Sequence, residues 1–121
     1  MRRMNGNVLE IFDNNENVIM TLEERVNDNI FDIKVCGEIR NEVAHELEDE
    51  IMAALSVCKI IELDMSKTTY IASLTLKSLL SIQQIIDTMD DARLVFYNLS
   101  SQVKDVFEDA GFLDIFCVEE R

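Results

Sequence analysis

The clearest alternation along the chain runs through Phe31, Ile33 and Val35, with Asp32 and Lys34 between them. Successive side chains of a strand point to opposite faces, so this spacing predicts a half-buried strand over Ile30–Val35. Val18–Leu22 predicts a second strand, and the turn-forming residues of "EERVNDN" between the two predict a hairpin. Upstream, "NVLEIF" is a weaker strand candidate, cut off from Val18 by "DNNEN". It fits an added edge strand or a loosely docked arm, so residues 1–16 are read as an extension and residues 17–121 as the domain.

After Gly37 the apolar period changes from two to about three and a half. Val43, Ala44, Leu47, Ile51, Ala54 and Leu55 then make one helical face, which Asn41 can cap, while Glu42, Glu46, Glu48, Asp49 and Glu50 are left for water. "KIIELDM" predicts a short buried strand. Ser73 opens the next helix, with Leu76, Leu79, Leu80, Ile82, Ile85, Ile86 and Met89 as its stripe. "RLVFYN" predicts another strand, and Ser100 or Ser101 can cap a third helix carrying Val103, Val106, Phe107 and Ala110, stopped by Gly111. "LDIFCVEE" predicts a closing strand. Helical crossovers join parallel strands, so the order β-β-α-β-α-β-α-β implies a single α/β domain: a mixed sheet with an N-terminal hairpin, β-α crossovers and helices packed on it.

Composition narrows the chemistry. The chain has 121 residues, 48% of them hydrophobic, in the range of one packed domain. Eleven Lys and Arg against 24 Asp and Glu give a formal net charge of −13, which repels phosphate backbones and disfavours direct nucleic-acid binding. Cys36, Cys58 and Cys117 form no C-x-x-C pair and sit in apolar runs, the pattern of core thiols in a reducing compartment. "MRRMNGN" is not followed by the apolar stretch of a leader, and no run reaches membrane-spanning length, so a cytoplasmic protein without membrane insertion is expected.

Catalytic groups are sparse. His45 is the single histidine and falls among helix-surface carboxylates. There is no G-x-S-x-G, no G-x-G-x-x-G and no phosphate-binding G-x-x-x-x-G-K-[ST], and the acidic runs "ELEDE" and "DTMDD" lack a D-x-D-x-D-G calcium loop. These absences predict a non-enzymatic protein with no metal and no cofactor.

One segment is more informative. "IIELDMSKTTYIASLTLKSLL" resembles the central strand, loop and helix of the STAS domain, the family of bacterial anti-sigma factor antagonists and of domains attached to sulfate transporters, which carry segments such as LDLSGVTYIDSSGLGVLL. Leu63, Asp64, Ser66, Thr69, Tyr70, Ile71, Ser73, Leu76 and Leu80 fall on matching positions without a gap. "VCGEI" is similar to the family's LxGEL strand end, and "SSQVKDVFEDAGFLDIF" to its SPxVxRLFxxxGLxxxF ending.

The resemblance implies a regulatory module switched at Ser73 by a partner that is both anti-sigma factor and serine kinase. Phosphate at a helix N-terminus is tolerated by the dipole and free amides, yet it places about −1.5 to −2 charges in a contact surface. Tyr70, Ala72, Ser73, Leu74, Thr75, Lys77 and Ser78 are the expected partner-binding residues, with Ser73 as phosphoacceptor and Thr75, Ser66, Thr68 and Thr69 as weaker acceptors. Ser73 equally reads as an N-cap worth about 1 kcal/mol. Ala72, Leu74 and Thr75 depart from the family pattern, which favours a variant that binds its partner constitutively, with Leu74 either an exposed anchor or part of the helix stripe. Two other classes stay open: an acyl-carrier-like protein modified at Ser73, from the echo of DSLxxxEL in "ASLTLKSLL", and a small-ligand enzyme on a flavodoxin-like sheet.

Overall fold

The computed structural model describes all residues, Met1–Arg121. Seven strands and three helices follow in the order β1 (Arg2–Asn5), β2 (Val8–Phe12), β3 (Val18–Asn27), β4 (Ile30–Ile39), α1 (Ala44–Leu55), β5 (Ile60–Ile71), α2 (Ser73–Asp87), β6 (Arg93–Tyr97), α3 (Ser101–Asp109) and β7 (Cys117–Glu119). Single 3-10 turns precede α1 (Asn41–Val43) and follow α3 (Phe112–Asp114). The strands lie in the sheet in chain order. β1 to β4 pair antiparallel, and β4 to β7, each joined through a helix, pair parallel, which is the mixed sheet the sequence predicts.

Alternation decides where the core sits. Leu9 and Ile11, Met20 and Leu22, Ile33 and Val35, Ile61, Leu63 and Met65, and Leu94 and Phe96 all join one buried cluster with Leu47 and Ile51 of α1, Leu79, Ile82 and Ile86 of α2, and Val103 and Phe107 of α3. All three helices therefore cover the same face. The other face carries Glu23, Arg25, Asp32, Lys34, Asp64 and Arg121 around a shallow polar cavity. A doubly wound flavodoxin-like sheet would need helices on both faces, and an acyl carrier would need no sheet at all. Neither reading survives.

Two strands run further than the sequence suggests. β3 continues through "EERVN" and leaves only Asp28 and Asn29 as the turn, with Asp28 in the left-handed region at φ 55°. Its outer half is tolerated because Glu23 and Arg25 point to the uncovered face. β5 continues for six residues past Met65, and its register against β4 slips twice, between Lys34 and Cys36 and between Gly37 and Glu38. Each slip adds one residue to β5, so Thr68 points to the core although it breaks strict alternation from Met65, and after the second slip Ile71 is inward and back in phase. β1 was hidden because its four side chains, Arg-Arg-Met-Asn, are all exposed and carry no apolar period. The closing segment is mostly a 3-10 turn, with only Cys117–Glu119 extended.

Of the three cysteines only Cys58 is a core thiol; Cys36 lies half-buried on the uncovered face and Cys117 is exposed on the edge strand. Glu46, expected in water, is buried, because Arg2 of the N-terminal strand lies across it. Ser100 caps α3 as its position suggests, accepting from the Val103 amide, and Gly111 ends that helix in the left-handed conformation at φ 74°.

Candidate protein-interaction site

The double slip in β5 delivers the chain to α2 at the edge of the helical layer. Ile71 still pairs with Ile39 of β4, and the Ala72 amide donates to the Ile39 carbonyl at 2.9 Å. Ala72 is extended at φ −84° and ψ 158° and is the N-cap of α2, leaving Ser73 as the first helical residue. Ser73 is exposed and its hydroxyl makes no internal hydrogen bond, so it is not the cap that its position before "LTLKSLL" suggests.

Ala72 has no side-chain oxygen. The helix start is capped instead from the β4–α1 junction, where Oδ1 of Asn41 accepts from the Leu74 amide at 3.3 Å. Asn41 thus serves α2 and not α1, whose preceding 3-10 turn has no side-chain cap. The sequence contains the hint that Ala72 cannot cap. It does not contain the partner, which comes from 31 residues upstream.

The expected contact residues separate into two groups. Tyr70 is 49% exposed and Leu74 47% exposed, flanking Ser73 with two large apolar side chains turned to solvent. Leu74 is therefore an exposed side chain and not part of the helix stripe. Lys77 is exposed one turn on, and the Ser78 hydroxyl donates to Glu48 of α1 at 3.3 Å. Ala72 and Thr75 are buried, Thr75 to 1% exposure, with no partner for its hydroxyl oxygen. The expectation that these two touch a partner, and that Thr75 accepts a phosphate, is corrected: both pack inward because the helix turns their positions toward the sheet.

Two of the remaining hydroxyls of the segment, those of Thr68 and Thr69, are engaged by backbone carbonyls, and Ser66 is exposed. Thr68 is buried and donates to the Val35 carbonyl at 2.8 Å, and Thr69 donates to the Gly37 carbonyl at 3.3 Å. The Ser66 amide donates to Asp64 in a turn-like bond at 2.9 Å. Beside the site, Glu38, Arg40, Asn41, Glu42 and Tyr70 line a shallow cavity of about 340 Å³. Arg40 lies 3.2 Å from Glu38 and 3.8 Å from both Glu42 and Asp13, and its hydrogen bond to Glu38 raises its pKa above the ordinary arginine value. No group of three or more His, Cys, Asp or Glu side chains is arranged to hold a metal ion, and no helix is long and apolar enough to cross a membrane.

This geometry has known counterparts. An anti-sigma factor antagonist from Mycobacterium paratuberculosis superposes with a TM-score of 0.73 at 19% identity, covering 83% of this chain and 85% of that one. The anti-sigma factor antagonist SpoIIAA in its unphosphorylated form gives 0.70 at 17% identity over 84% and 87% of the two chains. The Bacillus cell fate determinant SpoIIAA in its phosphorylated form gives 0.65 at 16% identity over 84% and 90%. No curated protein sequence is significantly similar to the chain. The STAS domain profile matches residues 21–121, from near the start of β3 to the last residue, and the chain belongs to the STAS domain family.

Proposed function

We propose that the chain is a non-enzymatic regulatory module that binds an anti-sigma factor with serine kinase activity through Tyr70, Ser73, Leu74 and Lys77, and that phosphorylation of Ser73 ends the binding. The observation that carries this reading is the state of Ser73: exposed, free of internal hydrogen bonds, and flanked by two half-exposed apolar side chains. A phosphate of about −1.5 to −2 charges on that hydroxyl would have to be desolvated against the partner, so the complex is lost without any change of fold. The structural neighbours include a phosphorylated and an unphosphorylated form of one anti-sigma factor antagonist, which supports the same chemistry. The net charge of −13 argues against nucleic acid as the direct partner.

Intact-mass spectrometry with peptide mapping on protein taken from its own cells tests the switch, together with capture of the partner by wild type, Ser73→Ala, Ser73→Glu and Leu74→Asp. The expected result is a single phosphate on Ser73, retention of the partner by Ser73→Ala, and its loss with Ser73→Glu. Leu74→Asp should weaken capture about 30-fold, the loss of an anchor worth about 2 kcal/mol. Ser73 unmodified in every growth condition, with Leu74→Asp still losing the partner, sinks the switch and leaves constitutive binding, which the exposure of Leu74 favours. Capture indifferent to Leu74→Asp and to Ser73→Glu overturns the site itself.

A further inference from the structure

Ser73 has a cation beside it that comes from a distant part of the chain. β4 and β5 stay in register as far as Ile39 and Ile71, and the two chains remain tied where they leave the sheet. The Ala72 amide donates to the Ile39 carbonyl at 2.9 Å, and the Leu74 amide donates to Oδ1 of Asn41 at 3.3 Å. Arg40 and Ser73 are the residues enclosed between those two bonds, so their backbones run side by side. Both side chains are turned out of the core: that of Arg40 is 37% exposed, and Ser73 is exposed.

The Arg40 guanidinium has bonding capacity to spare. Of its five N–H donors one is used, by Glu38 at 3.2 Å. Its other carboxylate neighbours, Glu42 and Asp13, stand 3.8 Å away, outside hydrogen-bond distance. Asp13 is held without it, because its Oδ1 accepts from the Asn15 and Asn17 amides at 2.8 and 2.9 Å. Arg40 can therefore turn toward Ser73 while the loop after β2 keeps its shape. A second cation, Lys77, is exposed one turn further along α2, the spacing at which helix side chains meet. It offers a point charge, whereas a guanidinium matches two phosphate oxygens at once.

We infer that Arg40 is the residue that receives a phosphate on Ser73, swinging from Glu42 and Asp13 onto the phosphoryl oxygens, a pairing that presupposes the phosphorylation proposed for Ser73. The charge balance drives it. A phosphoryl group adds about −1.5 to −2 charges and three acceptor oxygens beside Asp13, Glu38 and Glu42. Free among those carboxylates it is repelled, whereas against Arg40 it gains two parallel charge-assisted bonds. Each competing carboxylate carries one charge, and two of the three stand too far off to bond, so the phosphate takes the guanidinium. In the unmodified chain Arg40 lies in the cavity that Glu38, Glu42 and Tyr70 also line. Its departure leaves those two carboxylates uncompensated beside Tyr70. A partner docked there loses a neutral hydroxyl and a guanidinium in the same event.

Phosphoserine installed at position 73 of the full chain during translation tests the pairing without the native kinase. Phosphorus NMR should place the second ionisation of the phosphate about one pH unit lower in the wild type than in Arg40→Gln, a tenfold difference in proton affinity. The surrounding carboxylates act in both proteins, so the difference isolates the guanidinium. Lys77→Met should move the midpoint by less than about half as much. Equal midpoints in wild type and Arg40→Gln, or a shift carried wholly by Lys77→Met, overturn the pairing. If Arg40→Gln fails to fold, proton–nitrogen NMR of the wild type decides: an Arg40 Nε–H signal that moves and exchanges more slowly on phosphorylation supports the pairing, and an unchanged signal refutes it. Because the phosphate is installed, this failure is distinct from that of the switch, which falls only if Ser73 is unmodified in its own cells.

Discussion

Gly37→Ala is the single-atom change to which this fold should be most sensitive. Gly37 has φ 102°, a conformation that L side chains rarely adopt, and an added Cβ would lie 2.3 Å from the Ile19 carbonyl oxygen and 3.2 Å from its carbon. Both obstacles are backbone atoms of β3, which cannot rotate away. Forcing a side chain into that region costs about 1–3 kcal/mol. Displacing the packed strand adds about 1–3 kcal/mol. The sum, about 2–6 kcal/mol, is a large part of the about 5–15 kcal/mol that holds a domain folded. Gly6→Ala is the control, because Gly6 also has a positive φ, 63°, but nothing within 4 Å of its missing Cβ. It should lose only the conformational part, about 1–2 kcal/mol. Urea unfolding followed by far-ultraviolet circular dichroism measures both. For a slope of about 2 kcal/mol/M, Gly37→Ala should lower the midpoint by about 1–3 M, and clearly more than the control. Equal losses in the two variants, or a Gly37→Ala loss under about 1 kcal/mol, would refute the clash.

Two further outcomes are expected. Phe107→Ala opens a cavity among Phe96, Phe112 and Phe116, whose ring centroids lie 5.4, 5.9 and 5.6 Å from its own, and should cost about 3–5 kcal/mol in the same denaturation assay. Asn41→Ala should cost about 1 kcal/mol and speed amide exchange at Leu74, whereas Ser73→Ala should change stability by less than about 0.5 kcal/mol. The reverse order would make Ser73 the cap and Asn41 a bystander.

Elements with a one-sided apolar period were legible in the sequence, and those without one were not. Ile33 and Val35, the Leu47 and Ile51 turn of α1, and Leu79, Ile82 and Ile86 of α2 all point where their spacing puts them. β1 was invisible because its four side chains are exposed and carry no apolar period. The outer half of β3 was read as turn because charged residues crowd it; on the uncovered face of a sheet such residues are compatible with a strand. The site was half legible. Motif spacing located Tyr70, Ser73 and Leu74, but exposure is a property of the helix phase, and only the fold separates Leu74 from its buried neighbour Thr75. Asn41 and Arg2 were missed for a common reason: each acts on an element far away in sequence, through one hydrogen bond or ion pair that leaves no local pattern.

The departures at Ala72 and Thr75 acquire a physical meaning from this arrangement. Both are buried, so each changes how the start of α2 is packed and leaves the surface around Ser73 to Tyr70 and Leu74. Ala72 at the N-cap removes the oxygen that would close the first turn, and Asn41 supplies it from β4–α1 instead. The consequence falls on Ser73. A capping serine gives up a hydrogen bond to a backbone amide when its hydroxyl is esterified, so modification competes with helix stability. Here that bond belongs to Asn41, and the Ser73 hydroxyl is spent on nothing. Chemistry at Ser73 is thereby separated from the integrity of α2, so a change there can alter the contact surface while the core beneath, anchored by Leu79, Ile82 and Ile86, keeps its packing.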